Sequence, residues 1–317
     1  MTDYFKKDYP ELAADLREVQ ACIKAAILIK NKPIKSAIFD ILNAGGKMLR
    51  PAYLLLFADF TKLDKKSVKA LAAAVELLHT ATLVHDDVVD KATTRRGVQT
   101  ISSKYGNDVA VYAGDYLFVS AFRVLSQQAA LLSNLADQTG SVERLLVGEV
   151  GQMSQRYDLK QSLDDYLANI SGKTAELFSM ACSAGPLVAG DLRLAKLAQS
   201  IGLAIGVAFQ VMDDYLDYEA DSLTLGKPVL EDVKQGVYTA PVLYAYQIDQ
   251  AQVAELLDRQ AYEALYDFIH SCGALEMTKK LARTYTDKAI RLIGKLPKGE
   301  TQQKIEQISR QLLERTN

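Results

Sequence analysis

Two short segments carry the residues best suited to chemistry: Asp86-Asp87-Val88-Val89-Asp90 and Asp213-Asp214-Tyr215-Leu216-Asp217. Both read D-D-x-x-D. On an α-helix the first and fifth residues project about 40° apart and the second and fifth about 60°, so the three carboxylates of a segment converge on one side. Three like charges crowded together destabilise a helix unless cations neutralise them. A divalent metal is the simplest partner. Mg²⁺ is held by one or two carboxylates plus substrate phosphate oxygens, and the looped ligand spacing of an EF-hand for Ca²⁺ is missing. Two such segments facing each other would suit a diphosphate bridged by Mg²⁺. The competing account is a pair of solvated acidic faces, but 25 Asp in 317 residues supply roughly 0.15 such triplets by chance. A near miss, Asp164-Asp165-Tyr166-Leu167-Ala168, lacks the third acid.

Cations that could receive phosphate lie at several points. Gly45-Gly46-Lys47-Met48-Leu49-Arg50-Pro51 joins two helical segments, with glycines suited to a helix end and Pro51 to the next first turn. Alone it is an ordinary helix-helix turn. Its Lys47 and Arg50 gain weight from Arg95-Arg96-Gly97, which follows the first acidic segment closely. Guanidinium and ammonium groups are what a diphosphate needs beyond metal. Lys173-Thr174 and Gly226-Lys227-Pro228 are further candidates, individually unspecific. His79 and His85 lack zinc-site spacing, so packing or a hydrogen bond is their ordinary role; His79 as a donor to phosphate is the alternative.

The elements that must position these groups are helices. Apolar residues recur at three- and four-residue intervals, as in Leu12, Leu16, Val19, Ile23, Ile27 and in Ile201, Ile205, Ala208, Met212. Alternating β-branched runs are hard to find, so the expected class is all-α. Breaks are expected at Asn31–Pro33, Asn43–Pro51, Lys91–Asn107, Gly185–Asp191, Asp221–Gly236 and Leu296–Gly299. None reads as an interdomain linker, and a single helical domain over 1–317 is expected. From Gln247 onward the pattern is helical without an interpretable motif.

Bulk properties narrow the function classes. The 37 basic and 39 acidic residues give a net charge of -2 and a pI near 6.0, which offers no pull toward nucleic acid or an anionic membrane. Cys22, Cys182 and Cys272 are odd in number and far apart, supporting neither a disulfide framework nor zinc. With no uninterrupted apolar stretch of about 18 residues and no export-like N-terminus, no integral membrane segment is expected and the location is read as cytoplasmic.

Taken together these residues resemble the trans-isoprenyl (polyprenyl) diphosphate synthase family, most closely the catalytic subunits of heptaprenyl diphosphate synthases. In order, the match runs through G-G-K-x-x-R-P, L-x-H-x-A-x-L-V-H-D-D-V-x-D, R-R-G, Lys173-Thr174, F-Q-V-x-D-D-Y-L-D, G-K-P, and Asp232 with Gly236, Thr239 and Pro241. The resemblance implies a helical bundle around a deep central cavity, usually a homodimer, with some members needing a small non-homologous subunit. It implies Mg²⁺ on Asp86, Asp90 and Asp213, with Asp87, Asp214 and Asp217 completing the acidic shells. Arg95, Lys173, Thr174, Gln210 and Lys227 would contact an allylic diphosphate, and Lys47, Arg50, His79 and Arg96 isopentenyl diphosphate. Met48 stands where many members have Arg and Val237 where many have Lys. Each removes a cation near a diphosphate, so the resemblance implies weaker phosphate binding or a larger share carried by Lys47, Arg50, Lys227 and Lys234, not loss of activity.

Ala81 and Thr82 lie five and four residues before Asp86, about 6 to 7.5 Å down the helix axis. Members that stop at fifteen or twenty carbons generally carry an aromatic residue there, so the resemblance implies a medium- or long-chain product; Leu78 and Val75 are the next obstacles. A short-chain synthase is the alternative. A class I terpene cyclase would leave Lys47, Arg50 and Arg96 idle, and a helical scaffold would need two accidental motifs.

Overall fold

We describe a computed structural model of the chain, over residues 3–44, 46–127, 135–219 and 230–313. It is all-α, as expected, apart from one two-stranded hairpin. The helices are α1 (Asp3–Lys6), α2 (Pro10–Ala26), α3 (Lys32–Asn43), α4 (Leu49–Ala58), α5 (Lys65–Val89), α6 (Ile101–Tyr105), α7 (Asn107–Ser126), α8 (Leu135–Ser154) and α9 (Leu163–Ile170). A π-helical turn, Ser171–Ala175, runs into α10 (Glu176–Val188), followed by α11 (Leu192–Glu219) and α12 (Glu231–Lys234). Then come α13 (Ala240–Ile248), α14 (Gln250–Asp258), α15 (Tyr262–Ser271), α16 (Ala274–Ile293) and α17 (Glu300–Leu313). The hairpin strands are β1 (Thr94–Arg95) and β2 (Val98–Gln99).

Local chemistry sets these boundaries. Asn31 accepts from the Ile34 amide and Asp64 from the Ser67 amide, each satisfying a helix donor that has no partner within the helix. Ser162 and Asp165 form a reciprocal capping box, which is how the near-miss acidic segment is used. Helix ends at Asp59–Asp64, Gln155–Ser162 and Arg259–Ala261 were not anticipated from the sequence, where no Gly-Pro pair announces them.

The chain divides into two compact units, Met1–Gln138 with Met180–Ala198, and Thr139–Ser179 with Gln199–Asn317. In the first, α5 packs against α2, α4 and α7. Leu71, Ala72, Ala73, Ala74, Leu77 and Ala81 are buried along it, and the alanines let neighbours approach on several sides. In the second, α13 packs against α14, α15 and α16 around Val211, Tyr238, Leu243, Val253, Leu265 and Ile269.

Three helices, Lys65–Val89, Asn107–Ser126 and Leu192–Glu219, are long and apolar enough to cross a membrane by length and composition. The first and last are mostly buried within the protein. On α7, Val111, Tyr112, Val119 and Phe122 are exposed.

Gly202, inside α11, marks a tight backbone approach in the second unit. A Cβ there would lie 2.5 Å from the Phe178 carbonyl oxygen and 2.7 Å from the Ser179 Cα. Backbone cannot swing aside as a side chain can. Gly202→Ala is therefore expected to lower stability by about 1–3 kcal/mol from overpacking, although Ala gains about 1 kcal/mol in helix propensity. A denaturant midpoint equal to or above that of the parent would contradict this.

Candidate active site

In the first unit, Asp86 and Asp87 occupy the last turn of α5 and Asp90 caps its end. Their burial differs. Asp87 is 1% exposed, while Asp86 and Asp90 are half-buried. The buried carboxylate has a dedicated cation: Arg95 Nε donates to Asp87 Oδ1 at 2.6 Å. Burial pushes Asp87 above the usual carboxylate range, against the pull of Arg95, and its Oδ2 is buried with no hydrogen-bond partner among the described residues.

Arg95-Arg96-Gly97 is the turn of the hairpin. Thr94 pairs with Gln99 and Arg95 with Val98, leaving Arg96 and Gly97 as a two-residue loop with φ of 51° and 79°. Positive φ at both positions is what a tight type I′ hairpin turn demands, which accounts for the glycine. The two arginines take different partners. Arg95 goes to Asp87, while the Arg96 guanidinium lies over Gly46, where a Cβ would come within 2.8 Å of Nη1.

Arg50 and His79 meet on the same unit, with Arg50 Nη1 3.1 Å from His79 Nε2. Guanidinium only donates, so Nε2 accepts and the ring proton sits on Nδ1. Burial, then the charges of Arg50, Arg96 and Arg95, hold the His79 pKa well below its ordinary value, so the ring is neutral at pH 7. One turn earlier lies Glu76, 8% exposed, which feels Arg50 and Arg96. Glu76, Thr80, Met48, Arg95, Arg96 and Lys24 line a small cleft. Lys47 is exposed, its Nζ 4.9 Å from the Tyr4 ring centroid. Met48 is buried at 2%, so this departure from the family pattern places an apolar side chain where a cation would have been desolvated. His85 packs on α7, with Nε2 3.2 Å from the Val111 carbonyl and its ring stacked on Phe118.

The second unit repeats the logic. Asp214 is 5% exposed, Asp213 half-buried and Asp217 exposed. Asp214 receives two protein donors, Tyr166 Oη at 2.5 Å and Gln210 Nε2 at 2.9 Å. Gln210 in turn accepts from Thr174 Oγ1 at 2.8 Å. Burial raises the Asp214 pKa to about 7, moderated by Tyr166 and Gln210 and reinforced by Asp232 and Asp217. Lys173 and Thr174 lie in the π-helical turn, a distortion often found at functional sites. Gly148 allows close approach there, since a Cβ would lie 2.5 Å from the Lys173 amide nitrogen. Val237 is half-buried, and Lys234 Nζ lies 5.9 Å from the Tyr262 ring centroid. Lys227, with Gly226 and Pro228, lies outside the described residues.

Sequence reasoning missed Tyr166 and Glu76. Tyr166 sat inside the near-miss segment and Glu76 one turn before His79. Helical spacing could have flagged Glu76; nothing local could flag Tyr166, whose partner is 48 residues away.

Each segment offers hard carboxylate oxygens of the kind Mg²⁺ takes: in the first unit Asp86 and Asp90 are half-buried beside the buried Asp87, and in the second Asp213 is half-buried and Asp217 exposed beside the buried Asp214. Among the described residues no three Asp, Glu, His or Cys side chains form a metal cage of their own. Mg²⁺ needs none, because substrate phosphate and water complete its shell.

The family profile described as Polyprenyl synthetase matches residues 31–267. Heptaprenyl diphosphate synthase component 2 of Geobacillus stearothermophilus is 37% identical over 303 residues, 93% of this chain and 94% of that protein. The solved geranylgeranyl pyrophosphate synthase from Lactobacillus brevis ATCC 367 has a TM-score of 0.92 at 37% identity, covering 99% of this chain and 100% of that one. The polyprenyl synthase of Caulobacter crescentus CB15, complexed with calcium and isoprenyl diphosphate, has a TM-score of 0.89 at 32% identity, covering 99% and 98%.

The lowered pKa of His79 fixes the sign of a pH effect. On acidification the unfolded chain takes up this proton first, near pH 6.5, so the stability held by the neutral ring is complete above that value. It is lost as pH falls toward the folded-state pKa. Unfolding free energy measured from pH 7 to 5 should therefore fall more steeply for the parent than for His79→Gln, by up to about 1.4 kcal/mol per pH unit. Parallel curves would contradict the assignment.

Proposed function

The chain belongs to the polyprenyl synthetase family, and from that premise we propose that it condenses isopentenyl diphosphate with an allylic diphosphate to a medium- or long-chain all-trans polyprenyl diphosphate. The observation carrying this is the matched construction of the two aspartate segments, each with a buried, protein-bonded middle carboxylate and accessible outer ones. The two units are read as one synthase domain, supported by a family match that runs through both.

Asp86, Asp90 and Asp213 would hold Mg²⁺, which when bound neutralises the diphosphate and favours its departure. The chain supplies the rest. Asp87 holds Arg95 beside the first carboxylates, placing a guanidinium where the leaving diphosphate gathers charge. Thr174 and Gln210 bond each other in the second unit, and Lys173 precedes Thr174 in the π-helical turn and would supply an ammonium to the allylic diphosphate. Arg50, Arg96 and Lys47 would bind isopentenyl diphosphate, with neutral His79 orienting Arg50. As the allylic C–O bond breaks, the isopentenyl double bond attacks the carbocation and a proton is lost, with the released diphosphate as acceptor. Val84 and Val211, chain neighbours of the aspartates, are buried, and apolar surroundings of this kind would keep water from the cation.

Homodimer formation is supported by the exposed apolar face of α7, and a cytoplasmic location by the burial of most of the other two long apolar helices. The name component 2 on one relative supports a small second subunit as an accessory. Val119→Asp should shift sedimentation from dimer to monomer; an unchanged sedimentation coefficient would place any dimer contact elsewhere.

A twenty-carbon product is the second reading, favoured by the similarity to a geranylgeranyl pyrophosphate synthase. Geometry on α5 directs the test. Thr82 is half-buried and shares a face with Asp86 four residues on, whereas Ala81 is fully buried on the face of His85. Mass analysis of products made from labelled isopentenyl diphosphate and farnesyl diphosphate should show chains beyond twenty carbons for the parent and shorter ones for Thr82→Phe. No incorporation would refute the synthase; a parent product of twenty carbons would refute the longer-chain reading.

A further inference from the structure

The second acidic segment ends close to the end of α11, and that end is held from α15. Tyr218 directly follows Asp217, and its carbonyl belongs to the last turn, where helix carbonyls lack intrahelical partners. Two side chains converge on this one oxygen: Tyr266 Oη at 2.9 Å and His270 Nε2 at 2.9 Å. A carbonyl only accepts, so His270 donates through Nε2–H. The rings reinforce the contact. Tyr218 and Tyr266 stack at 6.1 Å and 12°, and Tyr266 lies 4.3 Å from the His270 ring. On its other side Tyr218 is 4% exposed and its hydroxyl is hydrogen-bonded to Thr239, the N-cap of α13.

Helix ends fray, and fraying here would move Asp217 and, one turn earlier, Asp213 and Asp214. We propose that Tyr266 and His270 are positioning residues for the second aspartate segment, clamping the Tyr218 carbonyl so that Asp213 and Asp217 keep their places. The inference rests on the synthase reading for its consequence in catalysis. It gives the C-terminal helices, whose sequence carries no motif, a role in the reaction: displacing catalytic groups by about 1 Å can cost about 100-fold in rate.

The test is Tyr266→Phe with His270→Phe, which leaves an aromatic ring at both positions and removes both donors, alongside His270→Gln, which restores an N–H donor. Amide exchange over residues 211–219 is read together with the KM for each substrate and the melting temperature. The double variant should exchange about tenfold faster there. Its KM for the allylic diphosphate should rise about tenfold with the KM for isopentenyl diphosphate unchanged, and the Gln variant should stay near the parent. Unchanged exchange, or both KM values rising together with a fall in melting temperature, would overturn the clamp. If the double variant does not fold, Tyr266→Phe alone carries the same readouts. Failure of the synthase reading is separate: the parent itself would incorporate no isopentenyl diphosphate, while the exchange result would still judge the clamp.

Discussion

A carboxylate taken out of water costs several kcal/mol unless hydrogen bonds or a counter-charge replace its hydration, and each aspartate segment of this chain buries one. The surroundings of each segment follow from meeting that cost. Asp87 needs a cation within reach, so the chain reverses in a hairpin just beyond α5 and returns Arg95 to it. Asp214 takes neutral donors instead, a phenol from α9 and an amide one turn back on its own helix. The outer aspartates are less buried than the middle one in both segments. The middle residue of the motif is thus the one the protein anchors most deeply.

The cationic side of the first unit faces the opposite difficulty. Arg50, Arg95 and Arg96 all influence His79, and like charges gathered in one cleft repel. Three features relieve this. Arg95 is bound to Asp87, His79 stays neutral and accepts from Arg50, and Glu76, whose carboxyl burial pushes above the usual range, is drawn back toward its charged form by Arg50 and Arg96. Such a cluster would be neutralised further by an anion, since guanidinium groups bind phosphate and carboxylate oxygens strongly. Met48 fits the same balance, since another buried cation at that position would add repulsion in the absence of substrate.

Much of this was legible in the amino-acid order. Periodicity gave the helices, because a buried stripe needs apolar residues every three or four positions: Leu12, Leu16, Val19 and Ile23 are buried on α2, and Ile201, Ile205 and Ala208 on α11. The acidic segments and the R-R-G turn were visible because their chemistry depends on spacing within one helix or one tight turn. What the sequence alone determined is therefore local: helix class, which carboxylates share a face, and where cations follow them. Tertiary structure decided which aspartates are buried, which nitrogen of His79 carries its proton, and that Tyr166, Tyr266 and His270 bear on the second segment. Tyr166 and His270 lie 48 and 52 residues from the atoms they bond, and no helical or turn periodicity extends that far; only packing brings such groups within 3 Å.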